Sequence, residues 1–324
     1  MTSALNRLDS GARAAAIAAP APRHAALMKA VLARTSFSDP DWIYERKLDG
    51  IRCLAIRDRG ATRMLSRNDL DLGARYPEVR EALAAQDHDR FAADGELVAF
   101  DGSQTSFSRL AQRGRRPVAV FFYAFDLLWF DGYDIRALDL RARKRLLRSA
   151  LSYGGPLRLS SHRNRDGEAM FAQACRQGWE GVVAKRADSP YRATRSRNWL
   201  KFKCEAGQEL VIGGFTEPRG ARTDFGALLV GHFSHGVLQY AGKVGTGFDQ
   251  ATLESLGARL RGLERATAPF AQPEMIRERG VHWVAPELVA QLGFTEWTGA
   301  GLLRHPRFQG LRDDKPASEV VRER

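Results

Sequence analysis

Cysteine is scarce, with three in 324 residues: Cys53, Cys175 and Cys204. Their spacing suggests neither a metal knuckle nor a disulfide framework, so they are expected as buried small residues. No apolar run approaches the roughly 20 residues needed to cross a bilayer. Met1 to Ala30 alternates alanine with Arg7, Arg13 and Arg23 and offers no apolar core with a cleavage site. The expected compartment is the cytoplasm, with no membrane partner. A composition of 44% hydrophobic and 27% charged residues excludes a disordered or fibrous chain. Acidic residues are the minority, 38 against 50 basic, which gives +12 and an isoelectric point near 10.0. Such a balance suits a protein that meets a polyanion, nucleic acid first. Among the 50 cations only eight are lysine (Lys29, Lys47, Lys144, Lys185, Lys201, Lys203, Lys243, Lys315), leaving 42 arginines. Lysine can lose its proton, act as a nucleophile and present a compact charge to a phosphate oxygen. Those eight positions are where chemistry is expected.

The chain reads as two α+β and β units. Residues 1–20 are an alanine-rich tail or frayed helix, followed by a short helix near Ala25 to Arg34. Strands are predicted at Trp42 to Arg46, Ile51 to Asp58, Thr62 to Ser66, Asp94 to Phe100, Val118 to Trp129 and Gly181 to Lys185. Helices are predicted at Tyr76 to Ala85, Asp139 to Ser149 and Gly167 to Gln177. The first domain, 21–206, is thus α+β with antiparallel sheets. From Gly207 short strands with glycine turns and one helix, Gln250 to Leu263, predict a small β-barrel over 207–315, of the OB-fold kind. Residues 316–324 read as a solvated C-terminal tail, and the units join near Glu205 to Gln208.

Trp42 to Arg52 reads WIYERKLDGIR. It offers an amine at a strand end, a tight turn, and a second cation, Arg52. That cation, and further a bound metal, can depress the Lys47 ammonium and free an amine to attack phosphorus. Alone, Lys-x-Asp-Gly is equally an exposed hairpin. Towards the C-terminus it is joined by an ordered series of short motifs: Ser66-Arg67-Asn68, Asp94-Gly95-Glu96, Tyr123-Ala124-Phe125-Asp126, Glu180-Gly181-Val182-Val183-Ala184-Lys185, Trp199-Leu200-Lys201-Phe202-Lys203, then Arg312-Asp313-Asp314-Lys315. This series resembles that of the ATP-dependent DNA ligases, covalent nucleotidyltransferases, from about Trp42 to Lys315. The stretches GGFTEPRGARTDFGALLVGHF, YAGKVGTGF and HPRFQGLRDDKP resemble the ligase module of the bacterial end-joining DNA ligase D type, which is expected here to stand alone, without polymerase or nuclease domains. Five of the eight lysines lie inside the motifs.

The resemblance implies an adenylation domain followed by an OB-fold domain. It implies ATP and Mg2+ or Mn2+ as cofactors, with nicked or broken duplex DNA as substrate. A Ku-like end binder or separate polymerase is the implied partner for a monomer working at the nucleoid. Lys47 would take AMP from ATP as a phosphoramide. Glu45, on the same strand face, would accept from the adenine amino group; Phe125 would stack on adenine. Arg52 would approach the ribose or the nick, Arg67 the 5′-phosphate, and Glu96 ribose or metal. Glu180 would be the metal carboxylate. Lys201 and Lys203, alternating on one strand face, would share the α-phosphate, Lys185 would reach the same phosphates, and Arg312 and Lys315 would orient the leaving pyrophosphate. Arg192, Arg195 and Arg197 form a basic loop suited to DNA backbone, and Lys243 is either a DNA contact or a plain turn lysine. The alternatives are an RNA ligase or capping enzyme and a catalytically silent DNA-end binder.

Overall fold

The computed structural model describes residues 10–323 apart from 34, 112, 114–116, 205, 219–222 and 295. The described chain divides into two compact units between Cys204 and Glu205. Glu205, one end of the expected junction, lies outside the described residues.

In the first unit the strands are β1 (Lys29–Leu32), β2 (Trp42–Lys47), β3 (Ile51–Asp58), β4 (Ala61–Ser66), β5 (Arg90–Val98), β6 (Phe121–Phe130), β7 (His162–Asn164), β8 (Gly181–Arg186) and β9 (Arg195–Lys203). The helices are α1 (Pro77–Ala84), α2 (Leu140–Ala150) and α3 (Gly167–Arg176). One sheet, of seven strands, runs β6-β5-β3-β4 and is extended past β6 by the short pieces Tyr133–Asp134, Ile17–Ala18 and Leu157–Leu159. The other, of five, runs β7-β2-β8-β9-β1. Pairing is antiparallel except for β9 with β1 and Leu157–Leu159 with β6.

Alternation along β3 sorts the core. Ile51, Cys53 and Ala55 pack with Val79 and Leu83 of α1 and Leu146 and Leu147 of α2. Leu54 and Ile56 point the other way, into a layer with Phe125, Trp129, Tyr191 and Trp199 between the two sheets. Beyond the five-stranded sheet, Tyr44, Val182 and Phe202 pack on Met170 and Ala174 of α3. The layer between the sheets holds the candidate site.

Several expectations fail for reasons of tertiary contact. The segment near Ala25 to Arg34 forms β1, not a helix, because it pairs with β9 and the Met28 amide donates to the Tyr191 hydroxyl at 2.8 Å; Arg34 itself is outside the described residues. Residues 10–20 are not simply a tail: a helix over Ser10–Ala15 leads into Ile17–Ala18, paired with Tyr133–Asp134, and Trp129 Nε1 donates to the Ala19 carbonyl. Two of the cysteines are not buried. Cys175 is exposed, Cys204 half-buried, and they form a disulfide with a Cα separation of 5.1 Å; only Cys53 is the buried free thiol expected.

The second unit contains β10 (Ala206–Thr216), β11 (Leu228–Ser234), β12 (Val237–Val244), α4 (Gln250–Arg261), β13 (Val281–Val284), β14 (Val289–Phe294) and β15 (Arg307–Leu311). Strand β10 is its spine. Residues 206–211 pair with β14 and 214–216 with β13, while 211–215 pair with β11 on the opposite edge. Asp249 caps α4 by accepting from the Thr252 amide at 2.8 Å. These are the antiparallel sheets of an OB-fold domain, but among the described residues the pairings do not close into a barrel. The C-terminal segment is docked, not solvated. Val320 is fully buried, Phe233 bridges Val321, and the Gln208 side chain donates to the Val321 carbonyl and accepts from the Glu323 amide.

Candidate active site

Register alone gathers most of the expected residues. Across β2, β8 and β9, Lys47 faces Gly181 and Gly181 faces Lys203; one pair along, Glu45 faces Val183 and Val183 faces Lys201; Lys185 faces Trp199. Directly paired residues project to one side of a sheet, so Glu45, Lys47, Lys185, Trp199, Lys201 and Lys203 share the face turned to the seven-stranded sheet. Gly181 has φ +150°, and a Cβ there would meet the Phe202 carbonyl oxygen at 1.9 Å. Only glycine fits between the two lysine-bearing strands. From the opposite sheet come Arg52 on β3, its register partner Glu96 on β5, and Phe125 on β6.

Lys47 Nζ stands 2.5 Å from Glu180 Oε2, both side chains largely buried. Burial by itself would lower the Lys47 pKa, but Glu180, with Asp49 and Glu96 nearby, raises it above the ordinary lysine range. This corrects the expectation that Arg52 depresses it. Arg52 is neutralised elsewhere, its Nε and Nη2 each 2.6 Å from the carboxylate oxygens of the fully buried Asp94. The Tyr191 hydroxyl donates to Asp94 at 2.7 Å, and Asp94 holds the Arg52 pKa above its usual value against the cost of burial. The free amine at Lys47 therefore depends on drawing Glu180 away, which a cation or a phosphate-bound metal can do.

At the other end of the site Glu45 is buried, not an exposed strand carboxylate. Its Oε1 accepts from Lys144 Nζ at 2.6 Å; its Oε2 accepts from Lys185 Nζ and from Ser160 Oγ, each at 3.0 Å. Burial pushes this carboxyl up, and the two ammonium groups more than reverse it, so its pKa lies below the usual range. Lys185 is placed at this end: Nζ lies 4.2 Å from the ring centroids of both Phe125 and Trp199. Burial lowers its pKa to about 8, against the pull of Glu45. Phe125 is itself buried, edge-on to Trp199, with the Arg52 guanidinium 4.7 Å from its centroid.

Arg67, just past β4, is half-buried, and its Nε and Nη2 are enclosed without a hydrogen-bond partner. Buried donors left unpaired are costly, and an anion would satisfy them. Glu96 and Glu180 both bear on Lys47. Among the described residues no three acidic, histidine or cysteine side chains cluster to cage a metal. Two carboxylates beside a phosphate site nevertheless fit magnesium, which takes few protein ligands and completes its shell with water and phosphate. In the second unit Arg312 pairs with Asp314 and Lys315 with Glu209, at 2.9 and 3.1 Å, and Asp313 pairs at the surface with Arg259. Arg195 and Arg197 lie on strand β9, not a loop; Lys243 is on β12, paired with Glu278.

Sequence reasoning missed Lys144, Ser160, Asp94, Tyr191 and Trp199. The signal for Lys144 was its place among eight lysines; for Asp94 and Trp199 it was their place in the motifs that open with them. Ser160 and Tyr191 are fixed only by the fold.

The chain matches known proteins along most of its length. Residues 22–203 match the family model described as ATP dependent DNA ligase domain, and 221–315 match ATP dependent DNA ligase C terminal region. The chain is 40% identical over 293 residues to the multifunctional non-homologous end joining protein LigD of Pseudomonas aeruginosa, covering 88% of this chain and 35% of that protein. It is 42% identical over 288 residues to the multifunctional non-homologous end joining DNA repair protein LigD of Mycobacterium tuberculosis, covering 87% and 37%. The chain thus spans about a third of the length of these relatives. Among solved structures it resembles a mycobacterial DNA ligase D complexed with ATP and MES, at TM-score 0.68 and 38% identity, covering 92% of this chain and 98% of that one.

Proposed function

The chain belongs to the ATP-dependent DNA ligases, and from that premise we propose that it seals 5′-phosphate/3′-hydroxyl breaks in duplex DNA through AMP carried on Lys47. The observation that carries the reading is the Lys47–Glu180 pair set in a face of lysines, with an acceptor, Glu45, at the far end. Lys47, once it has passed its proton to solvent, forms a nitrogen–phosphorus bond to the α-phosphorus of ATP while the bond to pyrophosphate breaks. Lys201 and Lys203 flank that phosphate, and two like charges on one strand face are stabilised by an anion between them. The 5′-phosphate of the break then displaces Lys47 from AMP, with Arg67 as the anion's donor. The 3′-hydroxyl attacks the activated phosphate, and AMP leaves. Positioning and charge neutralisation govern all three steps.

Glu180 and Glu96 would hold a divalent metal, which neutralises phosphate charge when bound. Glu45 would read the adenine amino group, and Phe125 with Trp199 would wall the base. Arg312 and Lys315 would serve the pyrophosphate in the first step. The relatives' names support work in end joining, and the +12 charge supports a DNA surface; a Ku-like end binder or a separate polymerase would be its partner. We place the protein as a monomer in the bacterial cytoplasm, at the nucleoid. In that reducing setting Cys175 and Cys204 would stand as a close dithiol pair.

The test is incubation with α-labelled ATP and then a nicked duplex. Wild-type protein should acquire a covalent label that survives alkali and is released by acid, as a phosphoramide is, and should seal the nick, and Lys47→Ala should do neither. Label on Lys47→Ala would remove Lys47 as the nucleophile.

A further inference from the structure

Helix α2 buries a cation where an exposed arginine would be cheaper. Lys144 Nζ reaches three oxygens: Glu45 Oε1 at 2.6 Å, the Ser160 carbonyl at 3.3 Å and the Phe125 carbonyl at 3.4 Å. An ammonium has three hydrogens, so the group is fully engaged, and its side chain is 6% exposed. The same ammonium therefore ties the carboxylate of β2 to the backbone of β6 at Phe125, the two sides of the end of the site assigned to the base. Nothing in the proposed reaction uses Lys144, and burying an ammonium is costly unless its partners repay it.

We propose that Lys144 is a positioning residue that sets the base selectivity of the nucleotide site by locking Glu45 as an ionised acceptor. Lys144 holds Oε1, while Oε2 takes Lys185 and the Ser160 hydroxyl; a base therefore meets Oε2 in the place that Lys185 gives up, with Ser160 still holding the carboxylate. An ionised carboxylate has no proton to donate. It accepts from a 6-amino group and opposes a 6-oxo group, whose oxygen is also an acceptor. Adenine is taken and hypoxanthine or guanine refused. Without Lys144 the carboxylate can rotate or take up a proton, and the protonated form donates to a 6-oxo group as readily as it accepts from an amine. This inference rests on Glu45 facing the base.

The experiment is steady-state formation of the lysyl nucleotide from labelled ATP and from labelled ITP, with Lys144→Met, Lys144→Gln and Glu45→Gln beside wild type. Lys144→Met should raise KM for ATP at least about ten-fold and KM for ITP less than about three-fold, with kcat changed little, so that the ATP preference collapses. Lys144→Gln keeps a donor without the charge and should fall between. Equal losses for ATP and ITP, or a loss confined to kcat, would overturn the inference, since a purely structural lysine predicts that. If Lys144→Met does not fold, an ATP preference undiminished in Lys144→Gln overturns it equally. Glu45→Gln separates the two layers. A preference that survives Glu45→Gln defeats the base-contact reading itself; one that collapses there but survives both Lys144 variants defeats only the role of Lys144.

Discussion

Lys185 gives the sharpest test of the site. The family resemblance implies that it reaches the phosphates, whereas the structure sets its ammonium on Glu45 and over the rings of Phe125 and Trp199. In the second arrangement the base must displace a cation to reach the rings. Two ring contacts at 4.2 Å are worth about 1 kcal/mol each, so the charged plug should weaken ATP binding by about 2 kcal/mol, or roughly 30-fold. The Lys185 pKa is lowered to about 8 by burial. The plug is therefore charged below that pH and loses its charge as the pH rises through it. Binding is best measured by calorimetry on Lys47→Ala, which cannot react and removes the Lys47 titration. With about a tenth of the plug neutral at pH 7 and about a tenth charged at pH 9, the Kd for ATP should fall by roughly eight-fold across that range relative to the same measurement on Lys47→Ala/Lys185→Met, which should stay flat. A phosphate-binding Lys185 predicts the opposite sign, with affinity lost as the ammonium deprotonates. A Kd that rises across this window refutes the plug.

Other perturbations test the frame around the site. Asp126 and Arg143 are a fully buried pair, joined at 2.8 and 3.0 Å. Asp126→Asn strands the guanidinium and should cost about 3–5 kcal/mol in urea unfolding, while Asp126→Leu with Arg143→Met should recover much of it; a loss below about 1 kcal/mol in the single variant would contradict the buried-charge argument. Cys175→Ser opens a link spanning 29 residues, for which chain entropy gives about 3–4 kcal/mol. Oxidised wild type should then melt roughly 6–16 °C above the variant, and an unchanged melting temperature would mean that the bond does not constrain the unfolded chain. Arg312→Ala and Lys315→Ala should slow labelling of the enzyme by ATP yet largely spare sealing of DNA that already carries AMP, provided both melt like wild type. Equal loss in the two assays would take the motif out of the first step.

Strand alternation and motif order were the features legible in the sequence. Glu45 and Lys47 two apart, and Lys201 and Lys203 two apart, must share faces in any strand. The register across Val183 and Gly181 joins those faces into one. The expected helix starting at Asp139 is capped by that residue, which accepts from the Ala142 amide at 2.6 Å. Failures cluster where a partner lies far along the chain. Glu45 finds Lys144 at a sequence distance of 99 and Lys185 at 140. A helix reading LRARKRLLRSA does not say which of its cations will meet a buried acid. Val320 is buried because Phe233 and Gln208 receive its segment, and neither contact leaves a trace in local composition.

The scarcity of lysine carried more than it first suggested. The ion pairs of Lys47, Lys144, Lys185, Lys243 and Lys315 are all with glutamate: Lys47 with Glu180, Lys144 and Lys185 with Glu45, Lys243 with Glu278, Lys315 with Glu209. The two-pronged contacts, by contrast, are made by arginine, on aspartate in Arg52–Asp94, Arg143–Asp126 and Arg312–Asp314 and on glutamate in Arg113–Glu78. A guanidinium fork matches both oxygens of one carboxylate and fixes its plane. An ammonium is a point charge that takes one oxygen and leaves the other for a second donor, which is why Glu45 can serve two lysines and a serine at once. Arginine at 144 or 185 would lay its fork across both Glu45 oxygens, where the other lysine and Ser160 now bind, so a chain that otherwise prefers arginine has a geometric reason to keep lysine at these two positions.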